Sequence, residues 1–120
     1  MIQVFLTRKP DGEFVSCRVH GHAAFAARGA DIVCSAVTIV LRTCAAVLDA
    51  TEGVRVTVDA PERGSMSFGA AQDDMHQAVT ARLVCIGDVL EQGIASLERE
   101  FPGHVALVVE TAEYMRADKQ

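Results

Sequence analysis

The first twenty residues alternate between apolar and polar positions with the period of a β-strand. Ile2, Val4 and Leu6 lie on one side of this alternation, which predicts a strand over residues 2–8. Proline, aspartate and glycine at residues 9–12 favour a chain reversal. Alternation returns over residues 13–19, so the first unit is a predicted β-hairpin that leads directly into Gly21 and His22.

The apolar spacing then changes to that of an α-helix. Apolar residues recur three and four positions apart and predict one buried helical face. Its members are Val33, Val37, Val40, Leu41, Cys44, Val47 and Leu48. Asp31 or Cys34 is the predicted cap region, because an aspartate accepts hydrogen bonds from the free N–H groups of a first turn. Gly53 is the predicted left-handed cap at the other end.

The second half of the chain repeats this order. Two strands are predicted at residues 54–60 and 65–69, followed by a second helix capped at Asp73 or Asp74. The predicted buried stripe of that helix is Met75, Val79, Leu83, Ile86, Leu90, Ile94 and Leu97. The strand predicted over residues 104–110 has a continuous apolar run, which favours a central strand covered on both faces.

These elements give the order ββαββαβ. The predicted fold class is α+β, with one mostly antiparallel five-stranded sheet packed with two helices. The length of 120 residues predicts a single domain over residues 1–120.

Charge and composition narrow the classes of function. The net charge of −5 and the lack of a basic stripe argue against direct binding of nucleic acid. We see no apolar run near the ~18–20 residues of a membrane span and no signal segment. The four cysteines include no CxxC pair, so we expect a cytoplasmic protein with reduced thiols. No nucleotide motif is present and no cofactor is predicted.

Cys34 is the strongest candidate for chemistry. A thiol at the start of a helix faces unpaired N–H groups, which favour the thiolate nucleophile. His22 lies twelve residues earlier, within reach across a folded loop, and suits a general base that later acts as an acid. The alternatives are a small buried cysteine before a helix and a polar histidine exposed at a strand end.

Three further residues belong to the same stretch. Asp31 either caps the helix or supports His22, although a carboxylate beside the sulfur disfavours the thiolate. Gly21 and Gly29 bracket the loop between strand and helix, either as hinges for a peptide-admitting loop or as plain turn residues.

Four of the cysteines and histidines also form a candidate metal set. Cys17, His20, His22 and Cys34 do not have a familiar zinc spacing, and strand alternation places Cys17 on the face opposite the two histidines. No metal site is therefore predicted. Cys44 and Cys85 are predicted core residues.

The stretch resembles the ribosomal-processing cysteine protease family, Prp. The resemblance rests on GHA at residues 21–23, Gly29 and DIVCSAV at residues 31–37, and it extends over nearly the whole chain. It implies a catalytic pair of His22 and Cys34, with Asp31 as a supporting acidic residue. Thr38 lies where the family commonly has serine, and it is a second supporting candidate.

The resemblance also implies a biological role. Members are cytosolic bacterial cysteine endopeptidases, typically homodimers, that remove an N-terminal extension from large-subunit ribosomal protein twenty-seven. The expected partner is therefore a ribosomal protein that carries such an extension. Two alternatives from other classes remain. One is a non-catalytic ribosome-assembly or protein-binding module, and the other is a redox sensor built on Cys34.

Overall fold

The structure, a computed structural model, describes residues 1–21, 31–62 and 64–112. Its helices and strands follow the predicted order. They are β1 (Ile2–Arg8), β2 (Phe14–His20), α1 (Ile32–Asp49), β3 (Val54–Glu62), β4 (Ser65–Gln72), α2 (Gln77–Glu100) and β5 (Val105–Thr111). The predicted α+β class is confirmed.

The five strands form one mixed sheet in the order β3-β4-β2-β1-β5. Every neighbouring pair is antiparallel except β1 and β5, which run parallel. The prediction that the last strand is central is wrong, because β5 lies at an edge with β1 as its partner. Val105 at its start is buried, whereas Val108 and Val109 are each more than 40% exposed. The continuous apolar run therefore predicts the strand β5 correctly, but it does not show that the strand is covered on both faces.

One row of side chains crosses the whole sheet on the face that packs against the helices. In strand order from β5 to β3, its members are Val109, Leu6, Cys17, Phe68 and Val58. The three interior members are 3% exposed or less, while the valines at the two ends are 44% and 59% exposed. The helices thus cover the middle of the row and leave both ends uncovered. α1 packs over the first part of β3, where Val54 and Val56 are half-buried, and α2 packs over β5 and β1.

α1 contributes most of the predicted apolar face to this core. Its buried residues are Val33, Val37, Leu41, Cys44 and Leu48. The prediction is wrong for Val47, which is 38% exposed. α1 ends at Asp49 with Ala50 as its C-cap, so the predicted cap at Gly53 is wrong. Gly53 instead takes a φ of 89° in the turn into β3. By length and composition alone α1 is also apolar enough to cross a membrane, contrary to our expectation, although a core helix shares these properties.

The start of α2 differs from the prediction. His76 is its N-cap residue and makes no side-chain cap, while the side chain of Gln72 accepts the N–H of His76 at 3.0 Å. Asp73, one of the two predicted caps, instead pairs with Arg55 at 3.0 Å. Met75, predicted to begin the buried stripe, precedes the helix and is 79% exposed.

A half-buried arginine joins the end of β1 to α2. The guanidinium of Arg8 donates to the Val84 carbonyl at 3.0 Å, to Asp88 at 2.8 Å and to Glu91 at 2.9 Å. Gly87 makes room for it, since a Cβ there would lie 2.7 Å from the guanidinium carbon. The contact fixes α2 along the sheet.

Candidate active site

Cys34 lies in the first turn of α1 and is half-buried. Asp31 is the N-cap of this helix, and its Oδ1 accepts the backbone N–H groups of Val33 at 3.0 Å and Cys34 at 3.1 Å. The N-cap alternative for Asp31 is therefore confirmed. The carboxylate occupies two amide donors beside the sulfur, whereas the N–H of Ile32 is not engaged by it.

Thr38 lies one helical turn after Cys34 on the same flank of α1. Its hydroxyl donates to the Cys34 carbonyl at 2.8 Å, and the residue is exposed. A hydroxyl held in this way keeps the first turns of the helix together at the candidate nucleophile. The role of Thr38 in catalysis stays a prediction.

The flank of α1 that carries Cys34 points away from α2. Val40 marks the opposite flank, because its Cγ1 lies 3.4 Å from the Cβ position at Gly93 of α2. Six residues separate Cys34 from Val40, which places the two side chains about 120° apart around the helix. Because α2 covers the other half of the sheet, Cys34 faces the side of β3, the edge strand.

The first turn of α1 lies at the end of the sheet where β2 and β3 finish. α1 and β3 pack together and are joined by the short turn after Asp49, so they run in opposite directions. The 18 residues of α1 span about 27 Å and the nine of β3 about 30 Å, so Cys34 is level with the last residues of β3.

Gly21 closes β2 at this same end. Its N–H donates to the Gly64 carbonyl at 2.8 Å and its φ is 94°. A Cβ at this position would lie 2.6 Å from the Met1 carbonyl oxygen, so only glycine fits. β2 and Gly21, the residue before His22 in the sequence, therefore end at the same end of the sheet as the first turn of α1, which carries Cys34. His22 and Gly29 lie outside the described residues, and the hinge role of both glycines stays a prediction.

Cys17 and His20, two members of the candidate metal set, lie on opposite faces of the sheet. Cys17 is buried on the face under the helices, whereas the ring of His20 lies on the other face, edge-on to Phe5 with centroids 6.2 Å apart. Among residues 1–21, 31–62 and 64–112, no three His, Cys, Asp or Glu side chains come together in a way that holds a metal ion.

The remaining cysteines differ in accessibility. Cys44 is buried, as predicted, but Cys85 is exposed on α2, so the prediction of a core position for it is wrong. Burial, with a smaller effect of nearby Cys44, raises the pKa of Cys17 to about 12, and burial also raises the pKa of Cys44. Neither buried thiol is suited to nucleophilic chemistry at neutral pH.

The comparison with known families agrees with this arrangement. A family model described as cysteine protease Prp matches residues 1–106. The chain belongs to this family. As a member of the Prp family it is a cysteine-type peptidase. No curated protein sequence gave a significant match.

Crystal structures of similar proteins share the fold. The ribosomal processing protease Prp of Staphylococcus aureus, in complex with a covalently linked product peptide, superposes with a TM-score of 0.73 at 21% identity, covering 92% of this chain and all of the other. The protein SMU.848 of Streptococcus mutans gives a TM-score of 0.72 at 22% identity, covering 93% of this chain and 96% of the other.

Sequence reasoning missed one feature of the site, which is that Cys34 lies on the flank of α1 that faces away from α2. The helix period predicted which face of α1 is buried, but not which flank meets α2 and which meets β3. The small residue Gly93 within the α2 pattern was the available signal, since it allows the close approach of Val40.

Proposed function

We propose that this protein is the endopeptidase that removes the N-terminal extension of large-subunit ribosomal protein twenty-seven during ribosome biogenesis. The observation that carries the proposal is the position of Cys34. It lies in the first turn of α1, at the end of the sheet where β2 ends, two residues before His22 in the sequence. A fold shared with a ribosomal processing protease solved with substrate and product peptides supports the choice of substrate.

In the proposed reaction, His22 removes the thiol proton and the Sγ of Cys34 attacks the carbonyl carbon of the scissile peptide bond. The C–N bond then breaks, and His22 returns the proton to the leaving amine. Water hydrolyses the thioester, which releases the new carboxylate and restores the thiol. No metal or other cofactor takes part.

The negative charge on the substrate oxygen needs hydrogen-bond donors during this reaction. Asp31 already occupies the N–H groups of Val33 and Cys34. The proposal therefore assigns the N–H of Ile32 to the oxyanion as the donor at the helix start that Asp31 leaves unengaged. Asp31 acts through the helix, by holding the first turn in place.

The remaining expectations from the resemblance are proposed on the same basis. The protein works as a homodimer in the cytoplasm, and its partner is the ribosomal protein substrate. A first check is whether the same genome encodes ribosomal protein twenty-seven with an N-terminal extension. If the encoded protein has no extension, this substrate is contradicted.

The test is cleavage of a fluorogenic peptide that spans the extension, by the full-length protein under reducing conditions. We expect cleavage by the intact protein and its loss in Cys34→Ala and His22→Ala. Cys85→Ala is the matched control, because Cys85 is an exposed cysteine on the other helix and its loss leaves cleavage unchanged.

Two results contradict the proposal. If the reduced, intact protein cleaves neither this peptide nor the full ribosomal protein, the binding-module alternative is favoured. If Cys34 undergoes reversible oxidation that needs no His22, and no cleavage is seen, the redox-sensor alternative is favoured.

A further inference from the structure

The two edges of the sheet differ in whether their outward-facing backbone groups already have a hydrogen-bond partner. At the β5 edge, the Oε2 of Glu98 on α2 accepts the backbone N–H of Leu107 at 3.0 Å. A side chain thus occupies a main-chain donor that another strand needs for pairing. Natural sheets block pairing at an edge in this way.

The β3 edge has no such block over most of its length. The N–H of Val54 donates to the Thr51 carbonyl within the preceding turn. From Arg55 to Asp59, the described part of the chain places no hydrogen-bond partner on the β3 backbone other than β4. Between Asp59 and Glu62 the pairing with β4 is irregular, and Pro61 lacks an N–H, so pairing is limited near the end of the strand. A free stretch of main chain therefore runs toward the end of the sheet that carries Cys34.

The side chains next to this edge are apolar and uncovered. Val58 belongs to the row that packs under the helices, yet it is 59% exposed because α1 does not extend over it. The flank of α1 that carries Cys34 and Thr38 faces away from α2, toward the side of the sheet on which β3 is the edge strand.

We propose that the free edge of β3 binds the substrate as an added sixth strand, which lays the scissile bond against Cys34. This inference rests on the proposed peptidase function of Cys34. An extended peptide fits because its main chain pairs with an exposed edge whatever its sequence, while alternate side chains meet the surface beneath. The ligand class follows from the Prp family, since a peptidase acts on peptide chains.

The spacing predicts where Val58 acts. Cys34 is level with the last residues of β3, and Val58 lies about three residues earlier, or about 10 Å along an extended chain. Val58 therefore contacts an apolar substrate side chain about three positions from the scissile bond. This contact contributes to binding and not to the chemical step.

The test is amide hydrogen exchange in the Cys34→Ala variant, which binds peptide without cleaving it. The probe is the peptide that spans the ribosomal extension. We expect the amides of β3 between residues 55 and 59 that point away from β4 to exchange about ten-fold more slowly or slower still when the peptide is bound. Amides of β5 serve as the internal control and keep their exchange rates.

A kinetic measurement with a matched pair of variants tests the same contact. Val58 and Val109 are the two exposed ends of one row, so Val58→Thr and Val109→Thr make the same chemical change at opposite edges. We expect Val58→Thr to raise KM roughly five-fold with kcat nearly unchanged, since about 1 kcal/mol of apolar contact is lost. Val109→Thr keeps both constants.

The outcomes separate this inference from the proposed function. If the intact protein cleaves the peptide but β3 gains no protection, or if both threonine variants behave alike, the added-strand model is wrong and the peptidase function stands. If the intact protein cleaves nothing and no amide changes in the Cys34→Ala variant, both proposals are wrong.

Discussion

One carboxylate oxygen of Asp31 accepts the backbone N–H of Cys34 at 3.1 Å, which ties the proposed nucleophile to the cap of its own helix. Asp31→Ala removes this cap, so we expect the free energy of unfolding to fall by about 1 kcal/mol. Asp31→Ser keeps a capping oxygen and most of the stability. Urea unfolding of the two variants checks the difference, and equal stability contradicts the capping role.

The same pair of variants tests whether the charge of Asp31 takes part in catalysis. If Asp31 acts only as a cap, Asp31→Ser retains cleavage. A variant with normal stability and a large loss of kcat shows instead that the carboxylate charge is needed.

The four cysteines should differ in their reaction with iodoacetamide at neutral pH. We expect alkylation of Cys34 and Cys85, which are half-buried and exposed, and none of Cys17 and Cys44, which are buried. Mass spectrometry of the native protein, followed by labelling in urea, identifies the protected pair. Rapid labelling of Cys17 in the native protein contradicts this assignment.

Stability should fall at alkaline pH because of the buried thiols. Burial raises the folded-state pKa of Cys17 to about 12 from an ordinary value of 9.0. The folded state therefore keeps its proton where the unfolded state loses it, so the stabilisation is complete below about pH 9 and is lost as the pH rises toward 12. Burial raises the pKa of Cys44 in the same direction.

The measurement is the free energy of unfolding in urea with reductant at about pH 8 and about pH 10.5, which lie on either side of the ordinary thiol pKa. We expect a decrease in the intact protein and a smaller decrease in Cys17→Ala. Cys85→Ala is the control, because the loss of an exposed cysteine leaves the decrease in the free energy of unfolding between the two pH values unchanged. If Cys17→Ala shows the same decrease as the intact protein, the prediction is wrong.

Two glycines of α2 should respond in opposite ways to alanine. At Gly87 a Cβ would lie 2.7 Å from the guanidinium of Arg8, which is fixed by its hydrogen bonds to α2. At Gly93 a Cβ would lie 3.4 Å from Val40, which is an ordinary contact. We expect Gly87→Ala to lower the free energy of unfolding by about 1–2 kcal/mol.

Gly93→Ala is the control and should raise stability by up to about 1 kcal/mol through helix propensity. Thermal melts of both variants check the pair. If both alanines raise the melting temperature equally, Arg8 moves aside at little cost and does not fix α2.

Local patterns predicted most of the fold. The period of Val33, Val37 and Leu41 identified α1 and its buried face, because burial on one side of a helix imposes that spacing. Asp31 was a recognisable cap because its short carboxylate reaches the free N–H groups of the first turn. Gly12 and Gly64 lie between strands as predicted, but Pro61, predicted to begin the second turn, lies within β3.

Long-range relations were not predictable in the same way. The apolar residues of β5 look alike whether the strand is central or at an edge, since that depends on which strands pair. Cys85 lies one residue from the buried Ile86, and a helix pattern alone does not exclude it from the core. Asp73 resembled a cap but pairs with Arg55, a residue 18 positions away.

The parallel pairing of β1 with β5 has a consequence for synthesis. Of the five strands described, β1 is made before the others and its neighbour β5 is made after them. Until residues 105–111 have emerged from the ribosome, β1 is itself an edge, with an open row of backbone donors and acceptors. The native sheet is therefore completed only after β5 has been translated, and the nascent protein carries an unpaired hydrophobic strand during that time.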